Sequence, residues 1–489
     1  MDTIFFLILR RMRAPLLTLL LAYAIAILGL VLIPGQEGDG SPWHMDFFHA
    51  LYFVSYMATT IGFGELPHEF SDAQRLWVLV CIYATVIAWL YSIGSLIALL
   101  QDKTLQRARE KRWFESRVKA IREPFYLICG YGQTGSGLVR ALTNQGQRAV
   151  VLDGAAERVA QLRLENLREF VPALHADVRR PESLLLAGLR RRHCAAVLAL
   201  TSSNEVNLKV ALASKLIRPS VKVICRADSH DVEANMASFG TDHIYDPFDI
   251  FAEYLYTALR APGLTLLQDW LSGVPGSRLQ DPLSPPTNGL WILCGYGRFG
   301  KALHGRLIQL GLEVIVIESS PERTGTPPGH WVRGWGTEAK TLREAQIDRA
   351  VGLIAGTNND TNNLSILMTA KELRPDLFTL VRENQEMNEL LFSAVGADIR
   401  MRPSAIVAQR IRTLLSKPLV TDFIAQAQRR EDSWACELVS RIAALVQESV
   451  PEVWEVQIDE EGAYALMQSE QDGLTGYLDT LLRDPSARD

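Results

Sequence analysis

No two of the six cysteines stand at metal-ligand spacing: Cys81, Cys129, Cys194, Cys225, Cys294 and Cys436 are scattered singly. That pattern argues against a zinc site or a disulfide framework. The nine histidines are equally isolated, and no His, Lys or Tyr set marks a catalytic centre. Surplus positive charge is missing too. Fifty Lys and Arg against 55 Asp and Glu leave a net charge of -5, and there is no extended basic face, so nucleic acid is not an expected partner. Acidic pairs such as Glu460-Glu461 suit a solvated turn better than a divalent-cation site. Charge is also absent from two long stretches, Leu16 to Ile33 and Leu76 to Leu100. Neither carries regularly spaced arginines, which removes a voltage sensor.

Each of those stretches is long enough for a bilayer core, which takes roughly 18–20 apolar residues. Arg10, Arg11 and Arg13 precede the first; Lys103, Arg107, Arg109, Lys111 and Arg112 follow the second. The loop between holds Glu37, Asp39, Asp46, Glu65, Glu69 and Asp72 against Arg75. The positive-inside rule then places both termini in the cytoplasm and the loop outside. The basic cluster beyond the second span suits either anionic lipid or a solvated helix face. A cleaved signal peptide is the alternative for the first span, but the run is long and no small-x-small cleavage site follows it before Pro34. Phe47 to Met57 is too short to cross and reads as a re-entrant helix, tolerated at membrane depth where protein surrounds it. Gly94, late in the second span, suits a gating hinge or close helix packing.

After the re-entrant segment comes Thr59-Thr60-Ile61-Gly62-Phe63-Gly64-Glu65. Glycines at alternate positions open backbone angles closed to other residues. Carbonyls from Thr60, Ile61, Gly62 and Phe63 can then face one way and replace the water shell of a K+ ion. One copy cannot surround an ion, so this reading requires several chains around one axis. An ordinary Gly-rich turn is the alternative out of context; the flanking spans oppose it.

The remainder is a duplication. Phe125 to Cys129 runs into Gly130-Tyr131-Gly132-Gln133-Thr134-Gly135, and Leu290 to Cys294 runs into Gly295-Tyr296-Gly297-Arg298-Phe299-Gly300. Both are GxGxxG between a strand and a helix. Asp153 answers Glu318 at the end of the next strand; Thr201 answers Thr357, and Asn207 answers Asn363. The offset is 165 residues for the glycines and the acid and 156 for the later pairs; landmarks that keep step in this way over more than a hundred residues, as far as Pro247 and Pro403, mark an internal repeat. Each copy alternates apolar strands with amphipathic helices, the pattern of a doubly wound parallel sheet. The glycines permit a tight turn, backbone approach to a pyrophosphate and helix-on-strand packing. Asp153 and Glu318 suit ribose hydroxyls and favour NAD or an adenine nucleotide without a 2′-phosphate. Arg298 is placed to reach a phosphate, and Asp177 lies where an adenine would sit. Asn204, Asn207 and Asn358 to Asn363 read equally as helix caps or cleft residues. For either copy the alternative is a Rossmann-like domain that binds nothing. Ser272 to Gly289 reads as a linker, with helical pieces at Asp249 to Leu271 and Ser404 to Val446.

With TTIGFGE and two GYGxxG loops in one chain, the sequence resembles two-transmembrane prokaryotic potassium channels with tandem RCK domains. The resemblance implies a membrane α-helical pore (two spans plus a pore helix) followed by two Rossmann-like α/β RCK domains with small C-terminal lobes. The expected divisions are a pore at 1–101, a linker helix at 102–123, RCK domain 1 at 124–271, a linker at 272–289 and RCK domain 2 at 290–489. It also implies a homotetramer in the bacterial inner membrane, with eight RCK domains in a cytoplasmic ring. Gating ligands would be nucleotides (NAD or ADP) and, in some members, Ca2+. The sequence departs from the common filter at Ile61 (for Val), Phe63 (for Tyr) and Glu65 (for Asp). Phe63 keeps its carbonyl but lacks a bracing hydroxyl, which puts filter stability in question. The other functional expectations are a regulatory NAD-binding subunit of a K+ transport system and a membrane-anchored NAD-dependent oxidoreductase. The former lacks a pore loop of its own; the latter needs a catalytic set and a substrate domain not visible here.

Overall fold

The computed structural model describes residues 2–37, 41–65, 68–279, 284–446, 449–453 and 455. The acidic pair Glu460-Glu461 and much of the end of the second repeat lie outside them. The chain divides into two compact units, Met1–Ser116 and Arg117–Asp489.

In the first unit, helices α1 (Asp2–Leu32), α2 (Phe47–Ala58) and α3 (Asp72–Gln101) follow the hydropathy pattern closely. Asp102 separates α3 from α4 (Lys103–Ala120), whose charged sequence continues into the second unit. The apolar spans of α1 and α3 run for 23 and 30 residues, enough to cross a hydrocarbon core of about 30 Å. Their outer faces carry exposed Leu20, Leu21, Leu28, Ile87 and Leu90, a surface that water would not tolerate so densely and lipid would.

The two helices pack through a glycine the sequence reading passed over. Trp77 of α3 lies on Gly29 of α1, where an added Cβ would stand 2.1 Å from the indole. The indole Nε1 donates to the Ala26 carbonyl at 3.2 Å. Gly94, by contrast, has nothing within 4 Å of its missing Cβ, so close packing within the chain does not explain it. Farther along, the Ser92 hydroxyl donates to the Pro15 carbonyl at 3.1 Å. Helix α2 begins where Asp46 accepts from the His49 N–H at 2.8 Å, an N-cap. It buries Ala50, Phe53 and Val54 against Leu30 and Cys81.

The second unit holds two six-stranded sheets, parallel throughout. The first comprises β1 (Phe125–Cys129), β2 (Arg148–Asp153), β3 (Ala173–His175), β4 (Cys194–Ala199), β5 (Lys222–Arg226) and β6 (His243–Tyr245). Their order is β3-β2-β1-β4-β5-β6. The second comprises β7 (Leu290–Cys294), β8 (Glu313–Glu318), β9 (Trp331–Arg333), β10 (Ala350–Ala355), β11 (Phe378–Arg382) and β12 (Ile399–Met401), ordered β9-β8-β7-β10-β11-β12. Both are the doubly wound order that reverses direction beside the first strand, where such sheets open a crevice at their carboxyl ends. The central strands are apolar on both faces, as strands covered by helices on each side must be.

Helices α5 (Gln133–Asn144) and α6 (Ala156–Leu164) belong to the first repeat; α7 (Asn204–Ile217) follows its fourth strand. The expected piece at Asp249 to Leu271 is two helices, α8 (Pro247–Arg260) and α9 (Pro262–Ser272), because Pro262 cannot continue one helix but starts another. In the second repeat, α10 (Arg298–Gln309) follows the glycine loop and α11 (Asp360–Leu373) the fourth strand. The expected piece at Ser404 to Val446 is three helices: α12 (Pro403–Ser416), α13 (Pro418–Ala427) and α14 (Asp432–Val446).

The helices after each sheet cross over. Phe248, Phe251 and Leu255 of α8 pack on Phe299, Leu303 and Leu307 of α10 in the second repeat. Val407, Ile411 and Leu414 of α12 pack on Leu138, Val139 and Leu142 of α5 in the first. Each repeat thus completes the other's core. Burying one such Leu or Phe stabilises by about 1.5–3 kcal/mol, so the exchange welds the repeats into one body.

Candidate functional site

Three places carry chemistry: the loop after α2, the two glycine loops, and the seam between repeats.

In the loop, φ is +63° at Thr60, +61° at Gly62 and +75° at Gly64. Every second residue is left-handed. Alternation of handedness cancels the usual twist and turns successive peptide groups to one side. For Thr60 such an angle is strained. The N–H groups of Ile61 and Gly62 donate to the Tyr56 carbonyl at 3.0 and 3.3 Å, fixing the loop to the end of α2. Two hydroxyls from α2 hold its far end: Tyr52 donates to Glu65 Oε2 and Tyr56 to the Glu65 carbonyl, each at 3.0 Å. The hydroxyl missing at Phe63 therefore has substitutes four residues apart on the neighbouring helix. Ile61 and Phe63 stay exposed within one chain.

Both glycine loops are built alike. Gly130 and Gly295 have φ of +108° and +96°, angles that favour glycine. An added Cβ at Gly135 would stand 2.0 Å from the Gly130 carbonyl oxygen; Gly300 and Gly295 repeat the contact at 2.0 Å. A Cβ at Gly132 would meet only Arg158 Nη1, at 3.9 Å, and one at Gly297 nothing. The middle glycine therefore leaves open space beside the N-terminus of α5 or α10, where a phosphate fits.

Asp153 and Glu318 are buried, at 3% and 6% exposure. Asp153 accepts from the Tyr131 N–H at 2.5 Å and Glu318 from the Tyr296 N–H at 2.6 Å. Each carboxylate thus ties its own glycine loop to the end of the second strand, a structural task that the ribose expectation left out. Arg158 of α6 was missed by the sequence reading. Its Nη1 lies 3.6 Å from Asp153 Oδ2 and over Gly132. Arg323 stands at the same repeat offset as Gly130 to Gly295, the one sequence signal that marked the position.

Several expected cleft residues are committed elsewhere. Thr201 and Thr357 donate through their hydroxyls to Asn207 Oδ1 (2.7 Å) and Asn363 Oδ1 (2.6 Å). The Asn207 amide donates to Thr201 O and Arg226 O, and that of Asn363 to Thr357 O and Arg382 O, all at 2.8–3.0 Å. These fully buried asparagines clamp the fourth strand, its helix and the fifth strand together. The caps are Ser203 and Asn359, whose side chains accept from Val206 and Asn362 N–H groups. Asp177 is paired with Arg179 at 3.0 Å, and that guanidinium holds its carboxyl below the usual range. Phe299 is core, 5.8 Å from the rings of both Phe248 and Phe251. Thr134 is buried, and its hydroxyl has no partner among the described residues.

The variable residue of each glycine loop reaches the opposite repeat. Arg298 Nη1 donates to the Asp228 carbonyl at 2.6 Å and lies 3.1 Å from its carboxylate, rather than turning to a phosphate of its own loop. Gln133, with its amide oriented to satisfy both groups, donates to Asn384 O at 3.2 Å and accepts from Glu386 N–H at 3.0 Å. Asp228 and Asn384 occupy equivalent places after the fifth strands. Arg382 adds to this seam, 4.6 Å over the Phe248 ring; burial brings its guanidinium down to about 10. Among the described residues no three His, Cys, Asp or Glu side chains converge on a metal position.

Comparison with known proteins bears on all three places. The ion-channel domain family matches residues 16–102, and the TrkA-N domain family matches 126–247 and 291–403. Potassium channel protein 1 of Methanocaldococcus jannaschii is 22% identical over 204 residues, 42% of this chain and 59% of that protein. A Trk system potassium uptake protein TrkA homolog of Methanothermobacter thermautotrophicus is 30% identical over 138 residues, 27% of this chain and 63% of that protein. The chain thus spans less than two thirds of the length of either relative. Among solved structures, the GsuK channel superposes with a TM-score of 0.51 at 21% identity, covering 85% of this chain and all of that one. The GsuK channel bound to NAD gives 0.52 at 18%, covering 86% and 85%. At those identities the likeness shows the fold.

Proposed function

We propose, from the premise that this chain is a two-transmembrane channel with tandem RCK domains of the TrkA-N type, that it conducts K+ under the control of nucleotides bound to its cytoplasmic repeats. The observation that carries the reading is the alternation of positive φ at Thr60, Gly62 and Gly64 in a loop braced by a short helix between two spans. Four copies around an axis would set the Thr60 to Phe63 carbonyls in rings that replace a K+ hydration shell. Their assembly would also cover Ile61 and Phe63. The homotetramer, the bacterial plasma membrane and cytoplasmic termini belong to this proposal, as do the boundaries 1–101, 102–123, 124–271, 272–289 and 290–489.

In the repeats, the open space at Gly132 and Gly297 and the following helix N-termini suit a pyrophosphate. NAD and ADP are the candidate ligands; the GsuK channel has been solved with each. Asp153, Glu318 and Arg158 would face the ribose and phosphates. A nucleotide that binds one arrangement of the ring better than another shifts the gate by that difference in affinity. The chain passes from α3 through Asp102 directly into α4, and Gly94 would let α3 bend. The glycine loops serve regulation in this reading and no substrate is turned over.

Flux from liposomes holding only the purified protein tests it. K+ efflux exceeding Na+ efflux, changed by NAD or ADP, is expected. A protein that passes no ions at any nucleotide level refutes the reading and leaves the regulatory subunit or the oxidoreductase.

A further inference from the structure

A cavity of about 1110 Å³ opens in the second unit between the crossed helices α5, α8, α9 and α12 and strand β12. It exceeds the roughly 300–1,000 Å³ of ordinary small-molecule sites. Four arginines line it, Arg278, Arg400, Arg410 and Arg412, against two acids, Asp269 and Asp398.

Both acids are already engaged. Asp398 accepts from the Thr379 N–H at 2.7 Å and its hydroxyl at 2.8 Å. Asp269 accepts from the Tyr254 hydroxyl at 2.9 Å. The donors are not all engaged. Arg412 donates to the Ser272 carbonyl and Arg400 to the Ser393 hydroxyl. Arg410, however, has no hydrogen bond or ion pair among the described residues, although Asp269 and Glu253 lie within electrostatic reach. Trp270 also lines the cavity, with its indole N–H enclosed and without an acceptor among the described residues. A buried donor without an acceptor costs about 1–3 kcal/mol, and native folds leave few. Cationic lining with surplus donors calls for an acceptor-rich anion.

We propose that this cavity is a second ligand site, separate from the glycine loops, that takes a small multivalent oxyanion such as a phosphate ester or a polycarboxylate, with Arg410 as its charge partner. Its walls come from both repeats, so a ligand there bridges them.

Calorimetric titration of the purified full chain with inorganic phosphate and with citrate tests this, the two arms separating phosphate from carboxylate chemistry. At least one should bind wild type in the millimolar range or tighter. Arg410→Gln should weaken that anion tenfold or more, and Arg410→Lys less so. ADP affinity should stay within twofold in every variant. If Arg410→Gln fails to fold, Arg410→Lys still reads the site. Neither anion binding to wild type, equal binding to all variants, or a parallel loss of ADP affinity would each overturn the proposal.

Discussion

Replacing the two tyrosines that hold Glu65 should shorten conduction without changing which ion passes. Each hydroxyl makes one hydrogen bond at 3.0 Å, and each such bond stabilises by about 0.5–1.5 kcal/mol net. Both act on the loop alone. Losing one therefore shifts the balance between conducting and collapsed loop by roughly 2–10-fold, taking tenfold per 1.4 kcal/mol. The two bonds meet on one residue, so their effects need not add; a double mutant bounds them. Tyr52→Phe, Tyr56→Phe and the pair keep the rings, that of residue 52 packed on residue 56 and that of residue 56 on Phe53 and Phe63. Single-channel recording in planar bilayers measures burst length and the K+ to Na+ permeability ratio. Bursts should shorten in each single mutant, most in the pair, at an unchanged ratio. Phe63→Tyr in the double-mutant background should restore part of the loss by returning a hydroxyl to the loop. Unaltered bursts in the double mutant would refute the bracing argument.

Gly62→Ala places a side chain at φ +61°, which costs roughly 1–2 kcal/mol and turns a carbonyl away; K+ efflux from liposomes should vanish, and normal flux would reject the filter assignment. Asp153→Ala removes the acceptor for the Tyr131 N–H, so melting should fall by the equivalent of about 1–3 kcal/mol while calorimetric NAD or ADP affinity drops; an unchanged affinity would leave the first cleft without its ligand. Asn363→Ala removes the side-chain partner of the Thr357 N–H and of the Arg382 carbonyl and leaves the Thr357 carbonyl only the Asn384 amide at 3.4 Å, and urea unfolding should register a loss of roughly 1–3 kcal/mol. Burial raises the Asp269 carboxyl from 3.8 to about 6. Its protonated form is favoured by folding, so that stability is complete below pH 3.8 and lost as pH rises through 6, roughly 3 kcal/mol in all. Asp269→Asn should flatten this part of the stability profile between pH 4 and 6; an identical profile would show that another group sets it.

Local signals carried most of the architecture. Uncharged runs marked the spans because nothing but lipid or deep burial accepts them; α3 extends a few residues past its run, whereas α1 begins well before its own, at Asp2, taking in Arg10, Arg11 and Arg13. The alternating backbone of the loop after α2 and both glycine loops were legible because glycine at fixed positions has a backbone meaning independent of context. Repeat arithmetic found both sheets, since strands buried on two faces must be apolar throughout. Helix breaks at Pro262 and Pro418 were written in the sequence too, yet the expected pieces ran across them because amphipathic character continues on both sides.

What local pattern could not reveal is which repeat a side chain serves. Gln133 and Arg298 occupy equivalent places in their glycine loops, and position alone assigns both to their own clefts. Their polar partners instead come from the loop after the fifth strand of the opposite repeat. Phe299 follows the same logic: it stands inside a nucleotide motif, but α8 arrives from the other repeat and encloses it. Asn207 and Asn363 differ in kind. Their clamp lies within one repeat, six residues from its threonine, yet an Asn at a helix start reads as a cap until the fifth strand is seen to need its amide. Because α8 and α12 are exchanged, neither repeat can bury its glycine-loop helix alone. A change at either glycine loop therefore meets the other repeat directly, through Gln133 with Asn384 from the first loop or Arg298 with Asp228 from the second, as well as through the shared core.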